Sequence, residues 1–188
     1  MEDAPSAGAD QLPDFCPNTV PALPRAGTFS IQRYNFSTME REKNNLVDLE
    51  ALQSEAARFT ATLSPSQENA TLITLSGELG AGKTSFTQGV ARTLGVTDAI
   101  TSPTFVLEKI YELPEATSLG FTRLVHIDAY RLEGKNALTP LGFNELVQDA
   151  KNLILLEWPE RVGDALPKAT HQIHLSVGEG NTRDISYA

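Results

Sequence analysis

The stretch Leu72-Ile73-Thr74-Leu75-Ser76-Gly77-Glu78-Leu79-Gly80-Ala81-Gly82-Lys83-Thr84-Ser85 joins a short apolar run to a glycine-rich loop. Leu72, Ile73 and Leu75 have the character of a buried strand, and the run leads straight into Gly77. From Lys83 to Leu94 the residues read as a helix that ends near Gly95. Between strand and helix, Gly77 to Thr84 matches G-x-x-x-x-G-K-[ST] throughout. Each residue type in that pattern has a physical task. Glycines let the loop curl so that backbone N–H groups converge on phosphate oxygens. The following helix adds its unpaired N-terminal N–H groups and the positive end of its dipole. Lys83 then reaches the β- and γ-phosphates as a point charge, and the Thr84 hydroxyl is a magnesium ligand. The expected nucleotide site therefore comprises Gly77, Glu78, Leu79, Gly80, Ala81, Gly82, Lys83, Thr84 and the next residue, Ser85.

Magnesium on such a loop usually has a second protein contact at the end of a neighbouring buried strand. Two carboxylates fit. Asp128 follows Leu124-Val125-His126-Ile127, and Glu157 follows Leu153-Ile154-Leu155-Leu156. In α/β sheets ligands bind where strands of this kind emerge. One carboxylate is expected to serve the metal and the other its water or the attacking water, and spacing alone does not assign them. Thr101-Ser102-Pro103-Thr104-Phe105 follows the P-loop helix after a short turn. Its hydroxyls, Thr104 among them, are placed to sense the γ-phosphate or a magnesium-bound water, although Ser-Pro-Thr is also an ordinary entry into a strand.

Outward from this centre, Leu49, Leu52, Ala56, Phe59 and Leu63 form the apolar stripe of an amphipathic helix. Phe105–Tyr111 and Leu124–Ile127 read as two strands joined by a turn-rich link, hence antiparallel. Residues 137–149 are expected to be helical. Gln172–Val177 and Asp184–Tyr187 read as a terminal hairpin around Gly178-Glu179-Gly180-Asn181. A further short strand is expected from Phe29, Ile31 and Tyr34. The fold class that follows is α/β, a three-layer P-loop fold with a mixed sheet and a C-terminal β-hairpin.

Residues 1–27 hold five of the eleven prolines and little apolar periodicity, so a flexible tail is expected there, with a single domain over 28–188. The formal net charge is −9, which argues against a surface that grips nucleic acid phosphates unaided. One cysteine, Cys16, rules out an intramolecular disulfide and a cysteine metal site. No apolar run approaches the length of a membrane span and no secretion signal opens the chain, so a soluble cytoplasmic protein is expected.

Several residues carry weaker signals. Trp158 lies next to Glu157 and is placed either beside the nucleotide or in ordinary packing. Arg131 and Arg161 are candidates for neutralising transition-state charge, but are read as surface or ion-pair arginines. His126 is read as a satisfied strand histidine rather than as one that orients a carboxylate. His171 and His174, three apart on a strand, point to opposite faces and cannot share a metal. No Asn-Lys-x-Asp guanine-reading motif occurs, which favours ATP over GTP.

The P-loop together with Ser102-Pro103-Thr104-Phe105, His126-Ile127-Asp128-Ala129-Tyr130-Arg131-Leu132, Leu141-Gly142-Phe143-Asn144-Glu145 and Glu157-Trp158-Pro159-Glu160-Arg161 resembles the bacterial TsaE (YjeE) family, over roughly residues 46–188. The resemblance implies an ATPase subunit of the machinery that makes threonylcarbamoyladenosine in tRNA, acting with TsaB and TsaD. By position it implies that Lys83 and Thr84 serve phosphate and magnesium, that Glu157 belongs to the magnesium shell, and that Asp128 is the other catalytic carboxylate. Two other readings stay open on the residues alone. One is a small-molecule P-loop kinase, although the residues after Glu133 lack the Arg-rich lid of such enzymes; the other is a non-hydrolysing ATP-dependent binding module.

Overall fold

The computed structural model describes residues 44–46, 48–134 and 136–188. The expected tail at 1–27 and the strand expected at 29–34 lie outside these residues. In chain order the elements are β1 (Asn44–Leu46), α1 (Leu49–Thr60), β2 (Thr71–Ser76), α2 (Lys83–Thr93), β3 (Glu108–Glu112), β4 (Arg123–Asp128), α3 (Phe143–Gln148), β5 (Asn152–Glu157), β6 (His171–Val177) and β7 (Arg183–Tyr187). The strands form one mixed sheet in the order β1-β7-β6-β2-β5-β4-β3. β6, β2, β5 and β4 run parallel, while β3 and the pair β7 and β1 close the two sides antiparallel.

Strands covered on both faces must be apolar at nearly every position. β2 and β5 meet that requirement: Leu72, Ile73 and Leu75, and Leu153 to Leu156, are all buried. Their alternation divides the core in two. Ile73, Leu75, Leu153 and Leu155 pack with Phe59 of α1 and Phe86 and Val90 of α2. Leu72, Ile154 and Leu156 pack on the other side with Leu138, Phe143, Leu146 and Val162. Each such side chain contributes roughly 1.5–3 kcal/mol by leaving water. Helices on one face and α3 with short turns on the other give the expected three layers.

α1 starts where the Asp48 carboxylate accepts from the Ala51 N–H at 2.8 Å, an N-cap contact. It buries Leu52, Ala56 and Phe59 of the expected stripe, while Leu49 at its start is exposed and Leu63 is buried just beyond its end. Gly89 of α2 lets the two helices meet: a Cβ there would lie 2.6 Å from the Ala56 Cβ and 3.2 Å from the Gln53 Cα. Alanine at an open helical site would gain about 1 kcal/mol over glycine, but forced overpacking costs about 1–3 kcal/mol. Clash prevails here, and Gly89→Ala is expected to be destabilising by about 1 kcal/mol in chemical denaturation. A stabilised variant would show that the helices separate freely.

Two expectations need correction, and one strand is not among the expected ones. β3 begins at Glu108, not at Phe105, because residues 103–107 make a turn in which the Val106 N–H reaches Pro103 O at 3.0 Å and Leu107 has φ 66°. The helix expected over 137–149 is confined to Phe143–Gln148. Pro140 sits in a separate 3-10 turn, Thr139–Leu141, and Gly142 at φ 64° divides the two. β1 escapes a sequence reading because Asn-Asn-Leu has no apolar alternation; it is held by antiparallel pairing with β7. Among the described residues no helix is long and apolar enough to cross a membrane.

Candidate nucleotide site

β2 delivers the P-loop to the C-terminal edge of the parallel strands. Gly77 has φ 134°, and a Cβ on it would lie 2.0 Å from the Leu175 carbonyl oxygen, so the loop leaves the sheet pressed against β6. Gly82, at φ 105°, turns the chain into α2. The loop borders a cleft of about 430 Å³. Leu79, Gly80, Gly82, Lys83, Thr84 and Ser85 line it from the loop side, and Thr104, Asp128 and Glu157 face them. Three expected residues stay out of the lining. Ala81 is buried beneath the loop, Gly77 is wedged on β6, and the Glu78 carboxylate accepts from the Val177 N–H at 3.3 Å.

Lys83 donates to the carbonyls of Gly77 at 2.7 Å and Glu78 at 2.9 Å. Its ammonium also lies 3.7 Å from the centroid of the Trp158 ring. Burial holds the ammonium's pKa below its usual value, against the opposing pull of the Glu157, Glu160, Asp128 and Glu78 charges. A buried cation looped back on carbonyls is well placed to turn toward a stronger anion.

The Thr84 hydroxyl donates to Glu157, 3.0 Å from Oε1 and 3.3 Å from Oε2. β4 and β5 are paired so that Asp128 stands directly beside Glu157 at their ends. Asp128 Oδ2 accepts from Ser102 Oγ at 2.7 Å and from Thr104 Oγ1 at 2.6 Å, while its Oδ1 accepts from the Tyr130 N–H at 3.0 Å. Both carboxylates are almost fully buried, at 3% and 2% exposure. Among the described residues their contacts are hydroxyls, one backbone N–H and the His126 ring, with no Lys or Arg ion pair. Two neighbouring desolvated carboxylates are costly even with the Lys83 charge in the same cleft, because no Lys or Arg among the described residues is paired directly to either, and a divalent cation offsets that cost. The donors are hard oxygens of the kind magnesium takes. No group of three or more His, Cys, Asp or Glu among the described residues is built to hold a metal alone. Phosphate oxygens and water are therefore needed to complete such an ion's shell, the usual arrangement for magnesium beside a nucleotide.

Sequence reasoning sets His126 aside, and the structure corrects that. Its Nε2 lies 2.8 Å from Glu157 Oε1, and the ring is fully buried. The period of two along a strand is the available signal, since it puts residues 126 and 128 on one face. Trp158 has φ 62°, sends its N–H to Leu75 O at 3.1 Å, and leans its ring on Tyr130 with centroids 5.1 Å apart. It lines the cleft with Tyr130, which the sequence marks only as part of the His126–Leu132 run, without a role of its own. Neither arginine candidate reaches the cleft. Arg161 donates to Tyr130 O at 3.0 Å and to Glu133 at 3.2 Å, and the Arg131 guanidinium stacks 4.5 Å over Phe105. His171 meets the Phe59 ring while His174 lies 3.0 Å from Ser76 Oγ, so the two serve different surroundings.

Known proteins share this chain's features. The crystal structure of Bacillus subtilis YdiB aligns with a TM-score of 0.63 at 28% identity, over 79% of this chain and 84% of that one. The tRNA threonylcarbamoyladenosine biosynthesis protein TsaE of Treponema pallidum (strain Nichols) is 35% identical over 134 residues, 71% of this chain and 93% of its own length. Its counterpart in Streptomyces coelicolor is 39% identical over 115 residues, 60% of this chain and 73% of its own. The family model described as threonylcarbamoyl adenosine biosynthesis protein TsaE matches residues 48–185, and the chain belongs to that TsaE family.

Proposed function

We propose that this protein is a magnesium-dependent ATPase that works in the cytoplasm as an accessory subunit of tRNA threonylcarbamoyladenosine synthesis. It acts on a TsaB–TsaD complex and reaches tRNA through that complex. The observation that carries this reading is the direct contact between the Thr84 hydroxyl and the Glu157 carboxylate, with Asp128 alongside and Lys83 within the same cleft. In this reading Lys83 and the loop N–H groups hold the phosphates. Thr84 and Glu157 serve magnesium, which supplies charge neutralisation at the phosphates when bound. Asp128 orients the attacking water, and Thr104 and Ser102 couple residues 101–107 to the nucleotide state.

Two features support work on a protein partner. Leu79 and Phe105, at 81% and 85% exposure, and Val106, at 60%, are large apolar groups left in water in and beside the segments that border the cleft. The net charge of −9 suits a partner surface better than bare RNA.

Phosphate release from Mg-ATP, measured for the protein alone and with TsaB and TsaD, tests this proposal. Slow release alone and a clear rise with the partners is the expected result. Phosphate appearing on an added small acceptor instead of in water would support the kinase reading. Tight ATP binding with no turnover in the complete mixture would support the binding module.

A further inference from the structure

We propose that His126 is a positioning residue that fixes the Glu157 carboxylate for a divalent cation before nucleotide arrives; the proposal rests on the reading of Thr84 and Glu157 as the magnesium-facing pair. Glu157 ends β5 with its carboxylate almost fully buried, so the donors around it decide how it is oriented. Two donors restrain it: Thr84 at 3.0 Å and His126 Nε2 at 2.8 Å, both on Oε1. Oε2 receives only the longer Thr84 contact at 3.3 Å. A carboxylate accepts, so the ring nitrogen at Nε2 carries the proton. The contact leaves Oε2 as the less engaged oxygen.

The ring itself shows what it is for. His126 is fully buried in the middle of β4, and its Nδ1 has no hydrogen-bond partner among the described residues. A leucine at this position would bury as much surface without stranding a polar atom, so packing does not account for a histidine. What the imidazole provides is a donor of fixed reach, set by register: position 126 stands beside Leu155, two residues before the Asp128–Glu157 pair. The Thr84 hydroxyl can ligate magnesium through a lone pair while still donating to Glu157, but it belongs to the nucleotide-binding segment itself. His126 stands on β4 and gives the same oxygen a second donor from outside the loop. Magnesium tolerates little departure from octahedral geometry, so a ligand fixed in advance favours it. Outer partners of this kind typically change metal affinity roughly 10–100-fold.

The test uses the full chain and a fluorescent ATP analogue, titrated with Mg²⁺ from EDTA. It reads the Mg²⁺ concentration at half-maximal response, with metal-free analogue affinity and thermal unfolding measured alongside. His126→Leu is expected to raise the Mg²⁺ requirement roughly 10-fold or more while leaving metal-free affinity within about twofold. His126→Gln, whose amide N–H reaches the same oxygen, is expected to stay within about threefold of the unmodified protein. If the leucine variant does not fold, His126→Asn replaces it, since its amide is polar but too short to reach Glu157. An unchanged Mg²⁺ requirement in the variants that lack the reach would overturn the proposal. So would an equal rise in the glutamine variant, or a matching loss of metal-free binding. Unmodified protein indifferent to Mg²⁺ would instead sink the reading of Thr84 and Glu157 on which the proposal stands, and the proposal with it.

Discussion

Replacing Lys83 by alanine is expected to weaken Mg-ATP binding by about 3–4 kcal/mol, roughly 10²–10³-fold, while the protein stays folded. The reason lies in what the ammonium touches. At present it is bonded to two loop carbonyls and sits under the Trp158 ring, with 5% exposure. Burial lowers its pKa, which means that carrying the charge costs more in the folded protein than in water. Alanine removes that penalty together with two hydrogen bonds of about 1 kcal/mol each, so the two effects on folding largely cancel. No such cancellation applies to binding, where a desolvated phosphate charge would be left without its cation. Calorimetric titration with Mg-ATP, accompanied by thermal unfolding, checks both halves. Undiminished affinity in the variant would remove Lys83 from the site.

Gly77→Ala is expected to cost at least about 3 kcal/mol of stability, a fall in melting temperature of roughly 6–12 °C. Two independent faults combine. A φ of 134° is open to glycine and strained for alanine, and the added Cβ would lie 2.0 Å from the Leu175 carbonyl oxygen and 3.0 Å from its carbon. That carbonyl is backbone within β6 and cannot swing aside as a side chain would. Gly80 in the same loop provides the control. Its φ is 81°, but nothing lies within 4 Å of the place an added methyl would take, so Gly80→Ala should cost only about 1–2 kcal/mol of backbone strain. Thermal unfolding of the two variants side by side decides the matter. Gly77→Ala melting as high as Gly80→Ala would mean that the loop is not pressed against β6.

Much of the fold is legible in the sequence because the deciding residues act locally. A strand buried on both faces must be apolar at nearly every position, and Leu72, Ile73 and Leu75 (around the single polar Thr74) and Leu153–Leu156 meet that requirement. The antiparallel pairing of β3 with β4 and the β6–β7 hairpin follow from turn-rich links of suitable length. Asp128 and Glu157 can be named because position at a strand end is a one-dimensional property. What escapes depends on the third dimension. His126 meets Glu157 only through the register of β4 on β5, which no local pattern states. Trp158 adopts φ 62° although its neighbours look like a plain exit from a strand. The late start of β3 arises because the hydroxyls of Ser102 and Thr104 are tied to Asp128, more than twenty positions away in the chain, before strand pairing begins. β1 is three residues whose only structural cue is an available edge on β7.

The central claim is that this cleft takes Mg-ATP through Lys83. The chain has one tryptophan, and Trp158 sits 3.7 Å from the Lys83 ammonium, so its fluorescence reads the site without a label. Titration with Mg-ATP should give a saturable change in emission that weakens in EDTA and is lost in Lys83→Ala. Emission that stays flat while calorimetry records nucleotide binding would contradict the account, because the nucleotide would then be bound somewhere other than this cleft.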